Sequence, residues 1–371
     1  MSEEKIYQLA LTLTPGVGNF TARYLVSYCG SAKAVFETSK SKLLKIPNIG
    51  KVIAEAVLQK STLQKAESQC LICEKNKVQL LFYTDTHYPE RLKTIADAPV
   101  LLFYKGNAPL NTQKTVAVVG TRSASPYGKK VTEELVSSLA KFASLLVISG
   151  LAYGIDAVAH QTALKYSIPT LGVMATGMDT VYPSEHKNLA AQMLEKGGLL
   201  TEYLWGSKTD PSFFPARNRI IAGLADAVIV VEAARSGGAL ITAEIANTYL
   251  KDVFAVPGNI NNKFSEGCNN LIKENKAHLV NRPEDIEYIM NWQWMEENKK
   301  ITVKNDSKIW KNLPEEQQQV LHLLDKNKEM LFDELSWQSQ IPVNKLAGLL
   351  LDLELQGLLS ALPGKKFVIN N

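Results

Sequence analysis

Val116-Ala117-Val118-Val119-Gly120-Thr121-Arg122 and, further along the chain, Leu145-Leu146-Val147-Ile148-Ser149-Gly150-Leu151-Ala152-Tyr153-Gly154-Ile155-Asp156 share one pattern. Each begins as an almost uninterrupted apolar run, turns on a glycine, and leads into a stretch with helical spacing. A strand with one face in water alternates apolar and polar residues, whereas a parallel strand covered on both faces reads as a continuous apolar run. Four more such runs follow: Thr170–Thr176, Leu199–Tyr203, Ala227–Ala233 and Val253–Pro257. Strands alternating with helices predict a doubly wound α/β sheet with right-handed crossovers across residues 81–290.

The flanks read differently. Residues 1–80 are helical in pattern and contain two short turns, Leu13-Thr14-Pro15-Gly16-Val17-Gly18 and Ile46-Pro47-Asn48-Ile49-Gly50. Each places a tight glycine-containing turn before a helix with small and basic residues. The arrangement resembles a helix–hairpin–helix turn, where glycines let backbone N–H groups approach a phosphate. A purely structural αα-hairpin fits the same residues. Residues 291–313 are polar and aperiodic, as a linker is. Beyond Pro314, three helical segments (314–327, 331–338 and 343–357) and a short apolar strand, Lys366–Ile369, after Pro363-Gly364 suggest a winged helix-turn-helix. Residues 308–371 carry net charge −1, and the third helix holds Asp352 and Glu354 among leucines. A DNA-reading helix is basic, so a protein-interaction module fits this end better.

Composition narrows the function classes. The 371 residues carry net charge +4, of which residues 1–80 hold +5 and residues 81–307 are balanced. A central nucleic-acid site therefore relies on individually placed cations instead of bulk charge. No apolar run reaches membrane-spanning length. The opening Met1-Ser2-Glu3-Glu4-Lys5 is unlike a secretory signal. Four cysteines make no disulfide framework, and a cytoplasmic location is expected. Cys70 and Cys73 form a lone C-x-x-C with no further ligands in reach, so core packing is expected and no metal.

Ligands of open α/β sheets bind beyond the carboxyl ends of the strands. After the first strand, Gly120-Thr121-Arg122 places an arginine where a dinucleotide fingerprint has its close-approach glycine, and no acidic ribose ligand ends the second strand. A nicotinamide or flavin cofactor is therefore not expected, nor any other. Arg122 instead offers a planar, permanently charged fork for phosphate. Ser149-Gly150 opens a second junction with exposed N–H groups. Asp156 and His160 stand at i and i+4, the spacing of an acid–base dyad, but no nucleophile accompanies them; helix capping and local packing account for both. Phe213-Phe214-Pro215-Ala216-Arg217-Asn218-Arg219 combines aromatics that stack on unpaired bases with arginines that hold phosphates. Ser236-Gly237-Gly238 is a fourth anion-compatible turn.

Taken together, Val119-Gly120-Thr121-Arg122, Ser149–Asp156, Ala216–Ile221, Ser236–Ala243 and Val256-Pro257-Gly258 resemble the signatures of the DprA/Smf family of DNA-processing proteins. The match is dense over residues 81–290. The resemblance implies an extended Rossmann-like domain that binds single-stranded DNA. It also implies an N-terminal SAM or helix–hairpin–helix-like domain and a C-terminal winged-helix-like domain. Carried onto this chain, it implies a DNA pocket built from Gly120, Arg122, Ser149, Gly150, Phe214, Arg217, Asn218, Arg219, Gly237 and Gly238. It implies a homodimer through Asn269–Leu279, with Ile272 and Leu279 as apolar contacts. The implied partners are the recombinase RecA, loaded onto incoming strands during transformation, and single-strand-binding protein. An enzyme of the same wider fold, a nucleoside-monophosphate phosphoribohydrolase with the motif P-G-G-x-G-T-x-x-E, is the alternative. Ser236–Glu244 resembles that motif but lacks its proline and third glycine.

Overall fold

The computed structural model describes residues 2–292, 310, 313–327, 329–362 and 366–369. Most of the expected linker, 293–309 with 311 and 312, lies outside the described residues, as does the Pro363-Gly364 turn. The chain divides into two compact units, Met1–Ile286 and Glu287–Asn371.

The first unit is organised by a single mixed sheet of strands β1 (Gln79–Phe82), β2 (Leu101–Gly106), β3 (Lys114–Val119), β4 (Leu145–Ser149), β5 (Thr170–Val173), β6 (Gly197–Thr201), β7 (Ala227–Val230), β8 (Asp252–Ala255) and β9 (His278–Leu279). The spatial order is β1-β2-β6-β5-β4-β3-β7-β8-β9. From β6 to β9 all neighbours are parallel, with β3 central: Val116 registers with Val147 on one side and Ala227 on the other. Every residue of β3, β4, β5 and β7 is buried, which explains their nearly continuous apolar sequences. After β3 the chain builds outward through β4, β5 and β6, then returns to β3 and builds the other way through β7, β8 and β9. That reversal opens a crevice between the carboxyl ends of β3 and β7.

All six expected strands are present. β5 and β7 stop three residues sooner than the apolar runs suggest, because the chain leaves the sheet there to form site loops. The antiparallel strands β1 and β2 and the two-residue β9 are additional. Leu80-Leu81-Phe82 and Leu101-Leu102-Phe103 are short apolar runs, and periodicity does not separate such runs from buried helix.

Six helices precede β1, from Glu3–Leu13 to Leu63–Lys75. They share a core with β1 and β2 that includes Leu9, Leu25, Phe36, Val57, Phe82 and Phe103. Gly18 and Gly50 cap the helices Asn19–Cys29 and Lys51–Leu58, and Val17, Ile46 and Ile49 of the two turns are buried. Cys70 and Cys73 lie in this core, where burial pushes both thiols up to about 11. Thiols so protonated are packing groups.

The second unit holds helices Glu315–Asn327, Phe332–Ser339 and Val343–Leu355, and an antiparallel sheet of β10 (Glu329–Leu331), β12 (Lys366–Ile369) and β11 (Leu359–Leu362) in the order β10-β12-β11. Its own core includes Val320, Leu324, Leu335, Leu346, Leu350 and Leu353. This is the expected winged helix, with two strands added to the one visible in sequence.

Candidate nucleic-acid interface

A cavity of about 650 Å³ lies at the crevice, where the four turns singled out in the sequence converge. Gly120, Thr121 and Arg122 come from the end of β3 and Ala152 from the loop after β4. Phe214, Arg217 and Asn218 come from the helix Phe213–Leu224, and Ser236, Gly237 and Gly238 from the turn after β7.

Arg217 forms the floor. It is only 4% exposed, and its Nη1 donates to the carbonyls of Gly150 (2.6 Å) and Val173. Burial pulls its pKa down to about 10, while the Asp156 carboxylate acts in the opposite direction. Burial likewise raises Asp156, opposed by Arg217 and by the N–H groups of Ala152 and Gly150, the latter donating at 3.0 Å. Cation and carboxylate flank Gly150 so closely that a Cβ there would lie 2.6 Å from Arg217 Nη2 and 2.8 Å from Asp156 Oδ2. Gly150 is therefore required by packing on the charged pair. Asn218 supports the opposite wall, its Nδ2 donating to Gly238 O at 3.1 Å.

Arg122 is different in kind. Its side chain is exposed, and among the described residues it has no carboxylate partner. Its guanidinium carbon lies 5.7 Å from the centre of the Phe214 ring, within cation–π range. Phe214 meets Tyr182 edge-on, with ring centres 5.2 Å apart. A free, forked cation over an aromatic pair thus stands at the cavity mouth.

Seven of the ten residues assigned to the pocket line this cavity: Gly120, Arg122, Phe214, Arg217, Asn218, Gly237 and Gly238. Gly150 lines an adjoining cleft with Arg122, Tyr182 and Phe214. Ser149 lies beneath it, fully buried, its Oγ donating to Val118 O at 2.6 Å. Arg219 faces elsewhere, in an ion pair with the half-buried Glu202, because its place on the helix carries it off the cavity side. Tyr182, Thr121, Ile241 and Phe264 also line the cavity and were not singled out. Tyr182 lies in the loop after β5; Gly177 ends the apolar run Thr170–Thr176 as Gly120 and Gly150 end theirs, and that glycine was the signal available for this strand end.

Asp156 and His160 form no dyad: no hydrogen bond joins them among the described residues. His160 Nδ1 lies 2.6 Å from Thr170 Oγ1, which itself donates to Val147 O. The imidazole is therefore the donor to Thr170, and burial lowers its pKa to about 3. It is a neutral core group.

The family model of DNA recombination-mediator protein A matches residues 79–291, and that of the DprA winged helix domain matches residues 311–365. The chain belongs to the DprA/Smf family. Over 202 residues, 54% of the chain, it is 46% identical to DNA processing protein DprA of Streptococcus pneumoniae, covering 71% of that protein. It is 34% identical to Protein Smf of Escherichia coli over 304 residues, 80% of this chain and 79% of that one. The X-ray structure of S. pneumoniae DprA superposes with a TM-score of 0.66 at 36% identity, covering 77% of this chain and 97% of that structure. DNA processing protein A from Helicobacter pylori, described with a single-stranded DNA binding mode, gives 0.53 at 28% identity over 58% of this chain and 97% of its own. The first family model falls in the first unit apart from residues 287–291 and leaves residues 1–78 unmatched, and the second falls within the second unit. No helix among the described residues is long and apolar enough to cross a membrane.

Proposed function

We propose that this protein binds single-stranded DNA in the cavity at the β3/β7 crevice and passes the strand to the recombinase RecA during transformation and homologous recombination. The observation that carries the reading is Arg122, a cation without an acidic partner among the described residues, placed over Phe214 at a mouth ringed by glycine turns. Unpaired bases stack on aromatic faces, and a forked guanidinium takes the phosphate between them. In a duplex those faces are already stacked, so the reading favours single strands with little sequence preference. The described DNA binding of the H. pylori relative supports the same assignment.

The reading is non-enzymatic. Asp156 and His160 are committed to internal hydrogen bonds, and among the described residues that line the cavity no nucleophile is paired with a base. In this proposal the helices of residues 1–80 form a domain joined to the sheet through the core it shares with β1 and β2. The protein works in the cytoplasm as a homodimer through Ile272 and Leu279 and displaces single-strand-binding protein. Fluorescence anisotropy with a single strand and a blunt duplex of equal length tests the core of it. Preference for the single strand that weakens with added salt is expected. Equal affinity for the two would refute it, and release of free base from nucleoside monophosphates would favour a phosphoribohydrolase.

A further inference from the structure

The main cavity does not end at Arg122. A second hollow of about 470 Å³ lies on the other side of that residue, between the first turns of the helices Pro126–Ser138 and Ile155–Lys165. Its lining includes Arg122, Ser123, Lys129, Tyr153, Gly154 and Gln161. Arg122 belongs to both hollows, and a cleft lined by Arg122, Tyr153, Tyr182 and Phe214 runs between them. The second hollow repeats the chemistry of the first. Lys129 is exposed and, like Arg122, has no carboxylate partner among the described residues, whereas its neighbour Lys130 faces Glu134 at 3.7 Å. Tyr153 is exposed and presents an aromatic ring, in T-shaped contact with His186 and with its hydroxyl donating to Glu185. Gln161 adds an amide able to donate and accept.

We infer that the DNA strand, bound in the main cavity, continues over Arg122 into this second hollow, with Lys129 taking a further phosphate and Tyr153 a further base. The inference rests on the proposed function of the main cavity. The track also has an end. Past Gln161 the surface is lined by Glu133 and Glu134 beside Lys130 and Lys165, a balanced set of charges that offers a phosphate backbone no net attraction. Arg122 is then a saddle gripped from both sides, and the bound segment is longer than the main cavity alone holds.

The test is anisotropy with oligothymidylates of about 4 and about 16 nucleotides, the span of compact single-strand sites. Lys129→Glu is expected to weaken the long oligomer roughly tenfold and the short one little, while Lys129→Ala lowers the salt slope on the long one by about 1. Lys130→Glu makes the same charge change one residue away and is expected to leave both affinities near the parent's. Circular dichroism and the milder Lys129→Gln guard against a folding defect at this exposed position. Unchanged binding of the long oligomer by folded Lys129→Glu overturns the inference, as does an equal loss on both lengths or an equal effect of Lys130→Glu. Arg122→Ala separates the two levels. Loss on both lengths upholds the main cavity whatever Lys129 does, and parental binding on both overturns the main cavity and the extension with it.

Discussion

Arg122 and Arg217 were one class in the sequence and are two in the structure. Arg217 is sealed under the cavity, holding the carbonyls of Gly150 and Val173, and its work is to fix the floor. Arg122 meets the Phe214 ring but has no carboxylate partner among the described residues, so its charge is available to a ligand. Arg122→Ala should therefore weaken single-strand binding by about 1.5–3 kcal/mol, the range for a hydrogen bond to a charged group, with folding unchanged; titration by anisotropy and a denaturation curve together check it. Arg122→Lys should recover only part, since an ammonium makes no forked contact. His160 sets a pH dependence. Its folded pKa is lowered from 6.5 to about 3, so the folded chain holds fewer protons than the unfolded one at mildly acid pH. The stability associated with the neutral ring is complete above about pH 6.5 and declines below it by up to about 1.4 kcal/mol per pH unit. Asp156, raised by burial, has the opposite slope, so urea unfolding of His160→Gln beside the parent isolates the histidine: the variant should show the shallower loss between pH 6.5 and 5.

At the scale of elements, the junction of β3 with the helix Ile155–Lys165 positions Arg122. A Cβ on Gly120 would lie 2.5 Å from Ile155 Cγ1 and 2.8 Å from its Cβ, so strand end and helix meet only if residue 120 has no side chain. Gly120→Ala should cost about 1–3 kcal/mol of stability through overpacking. It should also lower DNA affinity, because the strand end carrying Thr121 and Arg122 is displaced. Paired denaturation and binding curves check both, and a variant with parental stability would show that the junction yields at no cost. The same element shows what a sequence pattern conveys. A glycine after an apolar run announced a strand-to-helix turn, but the residues could not say whether it serves an anion or a neighbouring isoleucine. β1 and β2 stayed hidden for a related reason, since a short apolar run is consistent with strand and helix until its pairing partner is known.

At the scale of the whole molecule, the sheet ends at β1 on one side and at β9 on the other, and β9 is the edge proposed for self-association. β9 is the outermost strand beside β8, with Leu279 44% exposed on it, while Ile272 on the preceding helix packs partly against the main core. In a two-fold dimer the same patch serves both protomers, so one substitution acts twice. Leu279→Arg and Ile272→Arg should each shift the protein to monomers in analytical ultracentrifugation while leaving single-strand affinity of the monomer near that of the parent. Leu279→Arg changes an exposed side chain and should keep the native circular dichroism, whereas Ile272→Arg also strains the core. A folded Leu279→Arg dimer would move the interface elsewhere.

What the sequence determined by itself was whatever depends on local pattern: six buried parallel strands, the turns after four of them, the winged unit and the family. Those follow because burial on two faces dictates composition residue by residue, and because a turn's backbone dictates its glycines. Only the tertiary structure decided which charges are free. Arg122, Arg217 and Arg219 lie in equivalent-looking basic motifs, yet one is open, one is capped by two carbonyls and one is paired with Glu202. Solvation and partnership belong to groups far apart in the chain: Arg217 meets Gly150 and Val173, and Arg122 meets Phe214. The energy of a charge is set by these neighbours and the water they exclude, and no window of sequence contains them.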